Sequence, residues 1–77
     1  MEQTIIKTEI GLILAEEIDK TEIGDMLIQL ETKEMFEVAE VLQAEHLYVD
    51  TKGVEHWNNY DPWHCMKVLG KIVKEND

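Results

Sequence analysis

The sequence predicts a mostly α domain, a small bundle of three to four helices with a short β-hairpin near residues 47–57, with α+β as the alternative class. Two kinds of observation point there. Between Ile5 and Ile18, apolar residues at positions 5, 6, 10, 13, 14 and 18 keep the i, i+3/i+4 rhythm of one helical face. Helix start signals follow at two places: Asp19-Lys20-Thr21-Glu22 has the pattern of a capping box, and Asp61-Pro62 sets an N-cap aspartate before a proline whose missing N–H costs nothing at the first helical position.

The first helix would cover the 5–18 pattern. Gly11 opposes it by ~1 kcal/mol relative to alanine, and β-branched Thr4-Ile5-Ile6 leaves a strand at the N-terminus as the alternative. A second helix, opened by Asp19, would turn Ile23, Met26, Leu27 and Leu30 inward. Thr32 is the N-cap expected for a third, from Lys33 to about His46, with Met35, Phe36, Val38, Ala39 and Leu42 as its apolar stripe. No glycine or proline separates the second from the third, so one long bent helix fits equally well. Leu47-Tyr48-Val49-Asp50 and Val54-Glu55-His56-Trp57 alternate about a Thr51-Lys52-Gly53 turn, which predicts the hairpin. An isolated hairpin is marginal and would have to lean on the helices. After an Asn58-Asn59-Tyr60 loop, a last helix from Pro62 to about Lys74 would pack Trp63, Met66, Leu69, Ile72 and Val73, with Lys71 and Lys74 complementing its dipole.

Length and composition bound the function. Seventy-seven residues predict a single domain over 1–77, which buries only ~60% of its unfolded surface and has little room for a deep cofactor site. The 17 acidic residues against 7 lysines give a net charge of −10, and arginine is absent. Such a chain is repelled by nucleic acid and anionic lipid, so neither is an expected partner, whereas a basic protein is attracted. No apolar run approaches the ~20 residues of a membrane span. The single cysteine, Cys65, cannot form an internal disulfide, and the Met1-Glu2-Gln3-Thr4 start lacks the basic region of a signal peptide. Both predict a cytoplasmic location.

The charge is segregated. Residues 1–50 hold 13 acids and 3 lysines, which is the whole −10, while residues 51–77 hold 4 of each. On the expected third helix Glu34, Glu37 and Glu40 recur every three residues, ~5–6 Å apart. With Glu31 and Glu45 they would form an acidic face spaced like the phosphates of a nucleic-acid strand. The plainer explanation is a solvated face that keeps the protein soluble.

The aromatics are segregated too. Tyr48, Trp57, Tyr60 and Trp63 fall near the three histidines, the composition of a binding hot spot or of a core that needs large side chains. His46, His56, His64 and Cys65 are zinc-ligand types, but their spacing matches no zinc template, so no metal and no cofactor is expected. Catalysis has less support still. There is no serine and no glycine-rich phosphate loop, and Cys65 beside Met66 reads as a core thiol. The expected function is therefore non-enzymatic. A small acidic protein of this kind would bind the basic, nucleic-acid-facing surface of a partner, such as a nucleic-acid-processing enzyme, and inhibit or modulate it as a nucleic-acid mimic, in the manner of phage and mobile-element products. The alternative is a homo-oligomeric assembly subunit, a homodimer for instance, completed by self-association.

Overall fold

The computed structural model describes residues 2–58 and 64–72. These residues form an all-β chain, not a helical bundle. Seven strands, β1 (Gln3–Thr8), β2 (Gly11–Glu16), β3 (Met26–Gln29), β4 (Glu34–Leu42), β5 (Leu47–Asp50), β6 (Glu55–Trp57) and β7 (Cys65–Ile72), make one antiparallel sheet in the order β1-β2-β7-β3-β4-β5-β6. The one helical segment among the described residues is a single 3₁₀ turn, Gln43–Glu45. The expected start of a last helix at Asp61-Pro62, with Trp63 and Val73, lies outside the described residues, but Met66, Leu69 and Ile72 belong to β7.

Each helical expectation fails for a local reason. The 5–18 pattern is two strands joined at a tight turn. Thr8 Oγ1 donates to Gly11 O (2.9 Å) and accepts from Ile10 N (3.2 Å). Gly11 sits at φ +128°, and a Cβ there would lie 3.0 Å from Lys71 Cε, so the residue that argued against a helix is what the turn requires. Of the expected capping box, Glu22 serves a loop instead: its N–H donates to Asp25 Oδ2 (2.9 Å) and its carbonyl accepts from Asp25 N–H (3.0 Å), while Asp19 is exposed and precedes no helix. Leu27, Ile28 and Gln29 are all buried because β3 is an inner strand covered on both faces, so its apolar run carries no alternation. Thr32 caps no helix; its Oγ1 accepts from Glu34 N–H (3.2 Å) in the β3–β4 turn.

Two β-bulges account for the remaining helix-like spacing. Val38 opposes Asp50 and Glu40 opposes Val49, so Ala39 is the extra residue of β4. Leu14 opposes Gly70 and Ala15 opposes Val68, so Leu69 is the extra residue of β7. An inserted residue turns a step of two into a step of three. The core side of β4 therefore reads Phe36, Val38, Val41.

Two cores lie on opposite faces of the sheet. Leu27, Phe36, Val38, Tyr48 and Cys65 form one, with Ile18 and Val41 against it. Ile6, Ala15, Ile28 and Met66 form the other, with Leu30, Met35 and Val68. Adjacent Leu27 and Ile28 thus point to different cores, as strand alternation demands. The β5–β6 pairing is the hairpin of residues 47–57. It continues the sheet rather than resting on helices, and it curls back over the first core until β6 faces the β3–β4 turn. At the other end β1 comes to face the same turn from the second core, with Lys7 and Ile10 across from Lys33 and Met35. No helix of the described residues is long and apolar enough to cross a membrane.

Candidate functional site

Residues directly opposite on paired strands share a face, so the register shows which side chains meet at the surface. On the side of β4, β5 and β6 away from the first core, Leu42 opposes Leu47 and Leu47 opposes Trp57. In the neighbouring row Glu40 opposes Val49 and Val49 opposes Glu55. Leu47, in the middle, is buried, while Leu42 and Trp57 on its flanks remain 40% and 45% exposed. Glu37, out of phase with core residue Val38, joins the same face opposite Met26, itself 41% exposed. The result is an apolar strip bordered by three carboxylates, with Glu40 and Glu55 about 10 Å apart across Val49.

This face divides the residues expected to bind. Glu37, Glu40 and Trp57 come together, joined by Glu55, Leu42 and Val49, which the sequence reading did not select. The even acidic row on a helix does not exist. Glu34 shares the phase of Phe36 and Val38 on the opposite side of β4, and Glu31 is exposed in the β3–β4 turn. Glu45 turns inward: Oε1 accepts from the Tyr48 hydroxyl (3.2 Å) and Oε2 from Thr21 N–H (3.3 Å). Tyr48 is fully buried and is a core residue, not a contact anchor. Tyr60 and Trp63 lie outside the described residues. The signal that would have found the face is the alternation Leu47, Val49 and Glu55, Trp57, combined with the one-residue slip at Ala39.

Behind the face a polar network fixes the hairpin. The Tyr48 hydroxyl accepts from Thr21 Oγ1 (3.3 Å) and Asn58 Nδ2 (3.4 Å). Burial raises its pKa, Thr21 and Asn58 oppose the rise, and Glu45 adds to it. Asn58 N–H donates to His46 O (2.8 Å), and Asn58 Oδ1 accepts from Cys65 N–H (2.9 Å), linking β5 and β6 to the start of β7. Asp50 organises the β5–β6 turn: Oδ1 accepts from the N–H groups of Lys52 (2.8 Å) and Val54 (2.9 Å), while Oδ2 lies 2.8 Å from His56 Nε2. The His56 hydrogen bond, then the Val54 amide, hold the Asp50 carboxyl below its usual range against the opposing effect of burial.

The chemistry open to these groups is limited. An aspartate–histidine pair is the orienting half of many catalytic sites, but the His56 ring is buried and stacked on Phe36. Burial pushes the Cys65 thiol up to about 12, so it stays protonated at neutral pH and is a poor nucleophile and zinc ligand. His46 is exposed, with Nδ1 3.2 Å from Asn58 O, while His56 is committed to Asp50. His64 is half-buried and its carbonyl accepts from Leu30 N–H (2.9 Å). Among the described residues no three of His, Cys, Asp and Glu converge as a metal-ligand set. In comparisons with protein-family models, curated proteins and solved structures, nothing matches this chain.

Proposed function

We propose that the chain is a non-enzymatic binding module that presents the outer face of β4, β5 and β6 to a basic surface of a partner protein and modulates that partner by covering it. One observation carries the reading: the register sets Glu37, Glu40 and Glu55 around an apolar strip of Leu42, Val49 and half-exposed Trp57. A desolvated aromatic within a polar rim is the composition of a binding hot spot. The −10 charge would steer a cationic surface toward it. A nucleic-acid-binding enzyme is one source of such a surface, and a lone buried thiol suits the cytoplasm. Affinity capture from cells that express the protein, eluted with rising salt, tests the reading. A basic partner released by salt and lost with Trp57→Ala supports it; retention by Trp57→Ala at all salt concentrations contradicts it.

A second reading, self-association, rests on the other end of the sheet. Ile5 opposes Leu14, Lys7 opposes Leu12 and Leu12 opposes Ile72, which lays Ile5, Leu12, Leu14 and Ile72 on one face beside the open edge of β1. Ile5 is 56% exposed. Sedimentation separates the two: a dimer dispersed by Ile5→Glu favours assembly, and a monomer at high concentration leaves Ile5 as an ordinary exposed apolar residue.

A further inference from the structure

The edge of β6 faces a groove. One wall is Val54 to Trp57; the other is the β3–β4 turn, with Gln29, Thr32 and Glu34. Asp50 N–H donates to Val54 O (2.9 Å) and Asn58 N–H to His46 O (2.8 Å), which fixes the phase of the ladder between β5 and β6. Tyr48 and His56 form the hydrogen-bonded pair between these two, so the N–H and C=O groups of Glu55 and Trp57 turn away from β5 toward the open edge. Trp57 O has the Cys65 thiol at 3.8 Å. Among the described residues, the Glu55 groups are therefore the principal open positions on this edge. An edge of this kind is a template for an added strand.

Gln29 supplies an independent observation. Its side chain is 3% exposed, and Oε1 accepts from the N–H groups of Glu31 (2.7 Å) and Thr32 (3.2 Å). Nε2 is buried and has no hydrogen-bond partner among the described residues. Buried amide donors are nearly always paired, so an orphaned one beside a groove calls for an acceptor. Exposed Glu34 and Glu55 stand on the two walls, and among the described residues no lysine lines the groove. Acidic walls select a cationic occupant. Half-exposed Val54 and Trp57 offer apolar surface for the alternate side chains of an extended segment.

We propose that this groove receives an extended, lysine- or arginine-bearing segment of the partner protein as a strand added to β6. Its cationic side chains lie between Glu34 and Glu55, and the groove opens slightly for a backbone carbonyl of that segment to reach Gln29 Nε2, which is covered in the unbound chain. The inference rests on the reading of the partner as a basic protein and specifies how it is held.

The test titrates the ¹⁵N-labelled protein with a capped octapeptide of alternating lysine and valine, with an alternating glutamate–valine octapeptide as control. At millimolar concentration the lysine peptide is expected to shift the Glu55 and Trp57 amides and the Gln29 side-chain NH₂ group, and to slow exchange of the Glu55 N–H; the glutamate peptide is expected to shift none of them. Glu34→Gln and Glu55→Gln are exposed changes that spare the fold, and each removes one carboxylate from a wall of the groove. Each should weaken lysine-peptide binding by about fivefold or more. Shifts confined to Glu37, Glu40 and Leu42, equal response to both peptides, or unchanged affinity in both variants would overturn the groove while leaving the basic-partner reading standing. Failure of the lysine peptide to bind overturns the groove alone if a salt-released basic partner is captured by the protein, and overturns both proposals if none is.

Discussion

The imidazole ring of His56 lies flat on the phenyl ring of Phe36, with centroids 3.8 Å apart and planes 2° from parallel. These residues belong to β6 and β4, which are not neighbours in the sheet; β5 runs between them. Contact across an intervening strand requires a strongly curled sheet, and the curl both encloses the first core and sets the β6 edge opposite the β3–β4 turn. Asp50, on the strand between, holds the ring from its Nε2 side.

The Asp50–His56 hydrogen bond gives the fold an acid limit. Because the Asp50 carboxyl is held below its usual value in the folded chain, ionisation favours folding. This stabilisation is fully present above the unfolded pKa of about 4 and is lost as pH falls through the lower folded value. Asp50→Asn should lower Tm at pH 7, and the gap between variant and parent should narrow below about pH 4. A gap that stays constant down to about pH 2 would remove the carboxylate from this role.

Residues Gln43, Ala44 and Glu45 take φ values of 55°, 54° and 70°, three successive non-glycine residues in the left-handed region. Each such residue costs about 1–2 kcal/mol, and the strain is held by Glu45 bonding to Tyr48 and Thr21. Ala44→Gly should stabilise the protein by about 0.5–1 kcal/mol, the relief of strain less the entropy glycine adds to the unfolded chain. Chemical denaturation measures this, and a loss of stability would contradict the left-handed turn.

Leu27 and Ile23 separate the sheet from a helical packing directly. A helix over this segment would bury both, whereas the sheet buries Leu27 completely and leaves Ile23 73% exposed. Leu27→Ala should cost about 2–5 kcal/mol, and Ile23→Ala should stay within about 0.5 kcal/mol of the parent. Comparable losses at both sites would favour the helix.

The sequence made the β5–β6 hairpin legible because two short β-type runs, Leu47 to Asp50 and Val54 to Trp57, flank the Thr51-Lys52-Gly53 turn. Elsewhere the period-2 signal was hidden. Ala39 and Leu69 are bulge residues that reset the phase of β4 and β7, and Leu27 to Gln29 is buried on both faces. Thr32, the expected N-cap, closes the β3–β4 turn with the same side-chain oxygen, and Glu22 of the expected capping box donates its N–H to Asp25 in a loop. Helical geometry grouped Glu34 with Glu37 and Glu40. Only the strand register separates Glu34 from them and brings Glu55 in. Tyr48 was legible as a large residue in a short strand; its burial depends on Thr21 and Asn58, both remote in sequence.

Face contact can be separated from net charge by removing the same number of charges at two places and measuring partner affinity. Glu37→Gln, Glu40→Gln and Glu55→Gln together neutralise the outer face of β4 to β6. Glu2→Gln, Glu9→Gln and Glu17→Gln neutralise three exposed positions on the β1–β2 hairpin at the far end of the sheet. Binding through the outer face predicts a loss of affinity above about tenfold for the first triple and below about threefold for the second, in low salt. Equal losses would mean that the charge acts only at a distance and that the outer face is not where the partner binds.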